Sequence, residues 1–177
     1  MPLPLVYYDN PILRKKAAPI SEITEETRQL AQDLIETMLH HNGVGLAAPQ
    51  VGVKQRIFVI RDELVSEDGN FRLADPEVLI NPVVSNPSKE TEVMAEGCLS
   101  IPGIHAEVIR PARITVRYQT LDGQMREEEA SHFRARVIMH ENDHLNGVLF
   151  IDRLSQKLRK KLDSRLQEIK KRYTEIT

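Results

Sequence analysis

SHFRARVIMHENDHLNG, residues 131–147, is the stretch on which the fold turns. Phe133 and Val137 lie four residues apart and fall on the helical face that leads to His140, Glu141 and His144. Ile138 and Leu145 carry the apolar surface round to a neighbouring face, which predicts a central helix packed on several sides. Ser131 is placed as its N-cap, and Gly147 offers a stop. Within it, HENDH at residues 140–144 sets two histidines at i and i+4, one above the other, because 3.6 residues make a turn. Two such imidazoles can close on one divalent ion, with Glu141 in reach of a water bound to it. That pattern points to a hydrolase with a metal-activated water and a carboxylate base. A buried helix whose histidines are satisfied by hydrogen bonds would show the same string.

Two further strings bear on the choice. A catalytic metal usually takes three protein ligands and leaves one position for water. The single cysteine, Cys98, stands in EGCLS, residues 96–100, which reads as a Gly-Cys turn. As a thiolate it would complete a Cys-His-His set; as an ordinary lone cysteine it would be a small buried apolar residue. GVGLAAPQ, residues 43–50, follows a helical segment and precedes the strand-like run RIFVI at 56–60. Its glycines allow close backbone approach and Gln50 offers an amide donor, although by itself the string is also a plain helix-ending loop.

Taken together and in this order, GVGLAAPQ, EGCLS and HENDH resemble the three signature motifs of the peptide deformylase family. The resemblance runs from YDNPILR at residues 8–14 to the helix beyond Asp152. It implies a hydrolase that removes the N-formyl group from the N-terminal formylmethionine of nascent polypeptides, releasing formate. It implies Cys98, His140 and His144 as ligands of one divalent metal, typically Fe2+, with Zn2+, Ni2+ or Co2+ able to replace it. Glu141 is implied as the proton carrier, with the Gln50 amide and the Leu99 backbone N–H as donors to the developing oxyanion. Methionine would sit against Val44, Met94, Phe133, Val137 and the His140 ring. Gly43 and Gly45 would let the peptide pair alongside, Glu96 and Gly97 would also border the substrate, and Glu96 with Arg110 would form an ion pair holding the Cys98 loop. In one departure, many relatives have arginine where this chain has His105, which puts a peptide contact in doubt.

Outward from these motifs, Thr24 begins a helix with Glu25 and Glu26 in its first turn, Leu30, Leu34 and Met38 as its stripe and Gly43 as its end. Strands are expected at 56–61, 78–84, 107–119 and 121–129, the last pair turning at Asp122-Gly123. Residues 62–76 read as an exposed loop and 86–89 as a turn. A final helix over 155–177 carries Leu154, Leu158, Leu162, Leu166 and Ile169 on one stripe, with lysines and arginines elsewhere. The predicted class is α+β: mainly antiparallel sheets around the HExxH-bearing helix, with a C-terminal helix, in one domain spanning 1–177.

The chain has 177 residues, 41% of them hydrophobic, and a net charge of −2. That balance suits a soluble globule and gives no overall basic field for DNA. One cysteine cannot form an intrachain disulfide, no apolar run approaches the ~18 residues of a membrane span, and no secretory leader is evident, so a cytoplasmic location is expected. The basic final helix is either a solvated cover for the core or, by the family resemblance, a ribosome-docking element. Two other readings stay open here. A zincin-type metallopeptidase shares HExxH but usually takes its third ligand after the helix. A catalytically silent binding protein would use the metal structurally.

Overall fold

A computed structural model describes residues 1–174. Five strands form the main sheet in the order β1 (Gly45–Ala47), β2 (Ile57–Ile60), β5 (Glu77–Ser85), β8 (Arg113–Gln119) and β9 (Met125–Ser131). Every neighbouring pair in it is antiparallel. β6 (Thr91–Cys98) and β7 (Ile101–Pro111) form a separate two-stranded ribbon, and β3 (Glu63–Val65) with β4 (Phe71–Leu73) a small hairpin. Three α-helices complete the order among the described residues: α1 (Glu25–His40), α2 (His132–Leu145) and α3 (Gln156–Thr174). The α+β class and the antiparallel sheets around the HExxH helix are as expected.

β2 shows why the core has two layers. All four of its residues are apolar and buried. Strand side chains alternate between faces. Ile57 and Val59 therefore meet Ala31, Leu34 and Met38 of α1, while Phe58 and Ile60 meet Ala135, Ile138 and Leu145 of α2. The sheet is thus covered by one helix on each side. A third cluster lies under the ribbon, where Ile104, Ala106 and Val108 of β7 pack with Leu162, Leu166 and Ile169 of α3.

The final helix follows the expected stripe: Leu162, Leu166 and Ile169 are buried, and Leu154 and Leu158 pack partly against the same cluster. The expected extent to residue 177 runs past the described residues. Leu166 is fully buried. Leu166→Ala is expected to destabilise the fold by about 2–5 kcal/mol in urea denaturation, because the helix can close the void only partially.

Several local expectations are corrected. α1 begins after its Thr24 cap as predicted, but its end is set by Asn42, not Gly43. Asn42 takes the left-handed conformation, with its N–H on the Leu39 carbonyl and the Gly43 N–H on that of Met38. α2 does stop at left-handed Gly147 in the same paired pattern, with bonds to His144 and Asp143. Ser131 occupies its N-cap position, but its hydroxyl makes no capping bond.

The run 107–119 is not one strand. It breaks at Ala112, its first part pairing with β6 and its second with β9. β6 itself was read only as the Gly-Cys turn around Cys98; the cysteine instead ends a strand, and the turn falls at Leu99 and Ser100. Residues 62–76 contain the β3–β4 hairpin rather than a bare loop.

Candidate active site

α2 carries His140, Glu141 and His144 against the sheet, and the end of β6 carries Cys98 across to meet them. Cys98 Sγ lies 3.4 Å from His144 Nε2. One ligand atom from each of Cys98, His140 and His144 lies within 4.8 Å of the other two. A thiolate and an imidazole on one zinc-sized ion stand about 3.6 Å apart at a tetrahedral corner, so the spacing and the soft-plus-borderline donor set both fit a divalent metal.

The histidine rings are held in place by their surroundings. His140 Nδ1 is 2.8 Å from Glu96 Oε1, which leaves Nε2 facing the cysteine and Glu141. Burial disfavours charge on His140, yet hydrogen bonds to Cys98 and Glu96 outweigh it and push the ring up to about 10. Burial acts unopposed on His144, which is lowered well below its ordinary value.

Glu96 is the hub beneath the site. Its carboxylate accepts from Arg110 Nε at 2.6 Å and Nη2 at 2.9 Å, from Arg136 Nη1 at 2.6 Å, and pairs with His140. Asp143 extends the network, accepting from Arg110 Nη1 at 3.0 Å and from Arg153 Nε and Nη2 at 2.6 and 2.7 Å. The Glu96–Arg110 pair was anticipated; Arg136, Arg153 and the partners of Asp143 were not. Arg136 could have been suspected, since it stands four residues before His140 on the same helix face.

Burial works against the Glu96 carboxylate, but His140 and Arg110 hold it well below the usual range. A depressed folded value means the group stabilises the fold above its unfolded pKa of about 4.3 and loses that contribution as pH falls through the folded value. Glu96→Gln is expected to cost about 3–5 kcal/mol near neutral pH, leaving two guanidinium groups undercompensated. It should also flatten the loss of stability below about pH 4.3. Urea midpoints at pH 7 and in acid check both; an unchanged acid slope would contradict the assignment.

Glu141 is buried, and burial raises its carboxyl to about 7. Its Oε2 has no hydrogen-bond partner among the described residues. Gly45 makes room for it: a Cβ there would stand 2.6 Å from Glu141 Oε1. Gln50 is buried with its orientation fixed. The Ala47 N–H can only donate, and at 3.0 Å it holds the Oε1 side of the amide. Nε2 therefore points toward Ser100 Oγ at 3.1 Å and Cys98 Sγ at 3.5 Å.

One cavity of about 520 Å³ opens onto these groups. Gly43, Val44, Gly45, Gln50, Met94, Glu96, Gly97, Cys98, Leu99, Phe133, Val137, His140 and Glu141 all line it. The remaining metal-ligand candidate, His144, is buried behind the others. His105 also lines the cavity, opposite Gly97 in the ribbon, and its ring lies where a Cβ on that glycine would be. Tyr7, His41 and Tyr173 line it too and were not anticipated from the sequence.

Comparison with known proteins decides the family. A family profile described as polypeptide deformylase matches residues 2–160. The chain belongs to that family. It is 46% identical to a peptide deformylase of Thermotoga neapolitana over 164 residues, covering 93% of this chain and 94% of the relative. A plant peptide deformylase crystal structure superposes with a TM-score of 0.89 at 35% identity, covering 100% of this chain and 94% of the other. A Met-Ala-Ser-bound deformylase from Acinetobacter baumannii matches at TM-score 0.80 and 36% identity, covering 87% and 99%.

This deformylase is therefore a hydrolase that removes N-formyl groups from nascent peptides. The metallopeptidase alternative fails on the family match, and the candidate third ligand precedes the HExxH helix instead of following it.

Proposed function

We propose that the chain, acting as one catalytic domain, releases formate from formylmethionyl peptides at the cavity where Cys98, His140 and His144 converge. The observation that carries this reading is that convergence, with Glu141 and the Gln50 amide bordering the same cavity. A divalent ion held there supplies positive charge that acidifies a water and polarises a carbonyl. We favour Fe2+ among the ions the donor set accepts, with Zn2+, Ni2+ and Co2+ as substitutes.

The chain's own groups do the rest. The Glu141 carboxylate takes a proton from the attacking water and returns it to the departing amine nitrogen. Gln50 Nε2, fixed by its bond from Ala47, and the Leu99 N–H donate to the formyl oxygen as it gains charge. Val44, Met94, Phe133 and Val137 present apolar surface to a methionine side chain, whose unbranched thioether adapts to it. β1 is an edge of the main sheet, so an extended peptide can add to it as a strand. Gly97 brings the ribbon close on the other side, with His105 folded over it.

Formate release from formyl-Met-Ala-Ser, by protein purified without oxygen and assayed for metal on the same sample, tests this reading. Turnover tracking one divalent ion per chain supports it; turnover unaffected by full metal removal rules it out.

We assign the reaction to the cytoplasm, where nascent chains and reduced thiols coincide; Cys98 is free, and no described helix is long and apolar enough to cross a membrane. The basic faces of α3 suit docking to the ribosome. Removing residues 155–177 from a chain that stays folded is expected to weaken ribosome binding, and unchanged affinity would refute the role.

A further inference from the structure

The cavity is larger than one methionine side chain requires, and its apolar surface comes in two patches. Val44, Phe133 and Val137 lie on the side of Glu141, since Val44 adjoins the glycine that touches that carboxylate. Tyr7, Ile104 and Tyr173 form the second patch, Ile104 and Tyr173 belonging to the cluster under the ribbon and Tyr7 stacking on Tyr173. Tyr7 stands between Val6, whose N–H bonds the Gln50 carbonyl at 2.7 Å, and Tyr8, whose N–H bonds that of Ser100 at 2.9 Å. The second patch therefore borders the Gln50 side of the reacting groups.

Its surface is preorganised. The rings of Tyr7 and Tyr173 stack with centroids 3.8 Å apart and planes 16° from parallel, and the Arg172 guanidinium lies 5.5 Å from the Tyr173 ring centre. Lys170 pairs with Asp9 at 3.6 Å, and Arg165 donates to the Gly103 carbonyl, so α3 is tied to both sides of the patch. Leu166 and Ile169 anchor that part of the helix in the core. The family match ends at residue 160, before Tyr173.

We infer that the Tyr7–Tyr173 pair is a specificity-determining wall that takes an apolar or aromatic side chain of the formylated peptide downstream of its methionine. Rigid stacked rings lose little freedom on contact and offer edges and faces to a phenyl group, whereas alanine reaches too little of them to gain. The inference rests on the deformylase reading and makes the C-terminal helix part of the substrate site.

The test compares kcat and KM for formyl-Met-Ala-Ser, formyl-Met-Phe-Ser and formyl-Met-Ala-Phe on the metal-loaded full chain, Tyr173→Ala and Tyr173→Phe. In the unmodified enzyme one phenylalanine peptide should exceed formyl-Met-Ala-Ser in kcat/KM by about threefold to tenfold, carried by KM. Tyr173→Ala should bring that ratio to about one, and Tyr173→Phe should keep it. Tyr7→Ala supplies the same readout from the other ring should the first variant fold poorly. No phenylalanine preference, or a preference that survives loss of either ring, overturns the inference and leaves the stack a tie between the chain ends. Absence of formate from all three peptides defeats the deformylase reading itself.

Discussion

Glu141→Gln is expected to cut formate release by about 10²–10⁴-fold while the protein stays folded and keeps its metal. The two effects separate because the glutamate is in the wrong place to be a structural residue. It is buried, its Oε2 has no partner among the described residues, and burial raises its carboxyl to about 7. A neutral amide of nearly the same shape removes the cost of burying a charge, so urea midpoints should hold or rise. What the amide cannot do is accept a proton from water and pass it to the leaving nitrogen. The loss should lie in kcat and kcat/KM together, as for a group used in the transition state. Retained activity, with equal metal content confirmed, would remove Glu141 from the mechanism.

Cys98→Ala should have the broader effect, abolishing both bound metal and measurable turnover. On the proposed reading the sulfur is the ligand that joins the ribbon to α2, and it lies 3.4 Å from His144 Nε2. Without it two imidazoles remain, and a two-ligand site holds a divalent ion far more weakly than a three-ligand one. The fold itself should suffer little: Cys98 is only partly buried, and the Glu96 network that fixes His140 does not pass through it. Elemental analysis, formate release and thermal unfolding on one preparation check all three. An alanine variant that retains one tightly bound ion per chain would show that the sulfur is not a ligand.

The legible parts of this protein are those where chemistry repeats at short range. The i, i+4 histidines on α2 needed only helix geometry, and the α1 and α3 stripes needed only the burial of leucines spaced along one face. The β8–β9 hairpin was marked by Asp122-Gly123, whose glycine takes the positive φ the turn requires. The β6 strand escaped notice because Thr91, Val93 and Ala95 face solvent on one side while Glu96 is buried on the other. A buried carboxylate contradicts the usual alternation, and only its long-range partners Arg110, Arg136 and His140 make it tolerable.

By itself, then, the sequence determined the helices, the hairpin, the α+β class and, through three strings resembling a known family, which side chains to watch. Only the tertiary structure decided how the ribbon crosses to α2, which buried charges compensate one another, and that a tyrosine near each end of the chain meets at the cavity. The physical reason is range. Helix periodicity and turn conformations are settled between residues a few positions apart. The pairings Cys98–His144, Glu96–Arg136 and Tyr7–Tyr173 join distant segments. Whether such segments touch is fixed by how two helices and a ribbon bury their apolar faces around one sheet, and no local pattern carries that information.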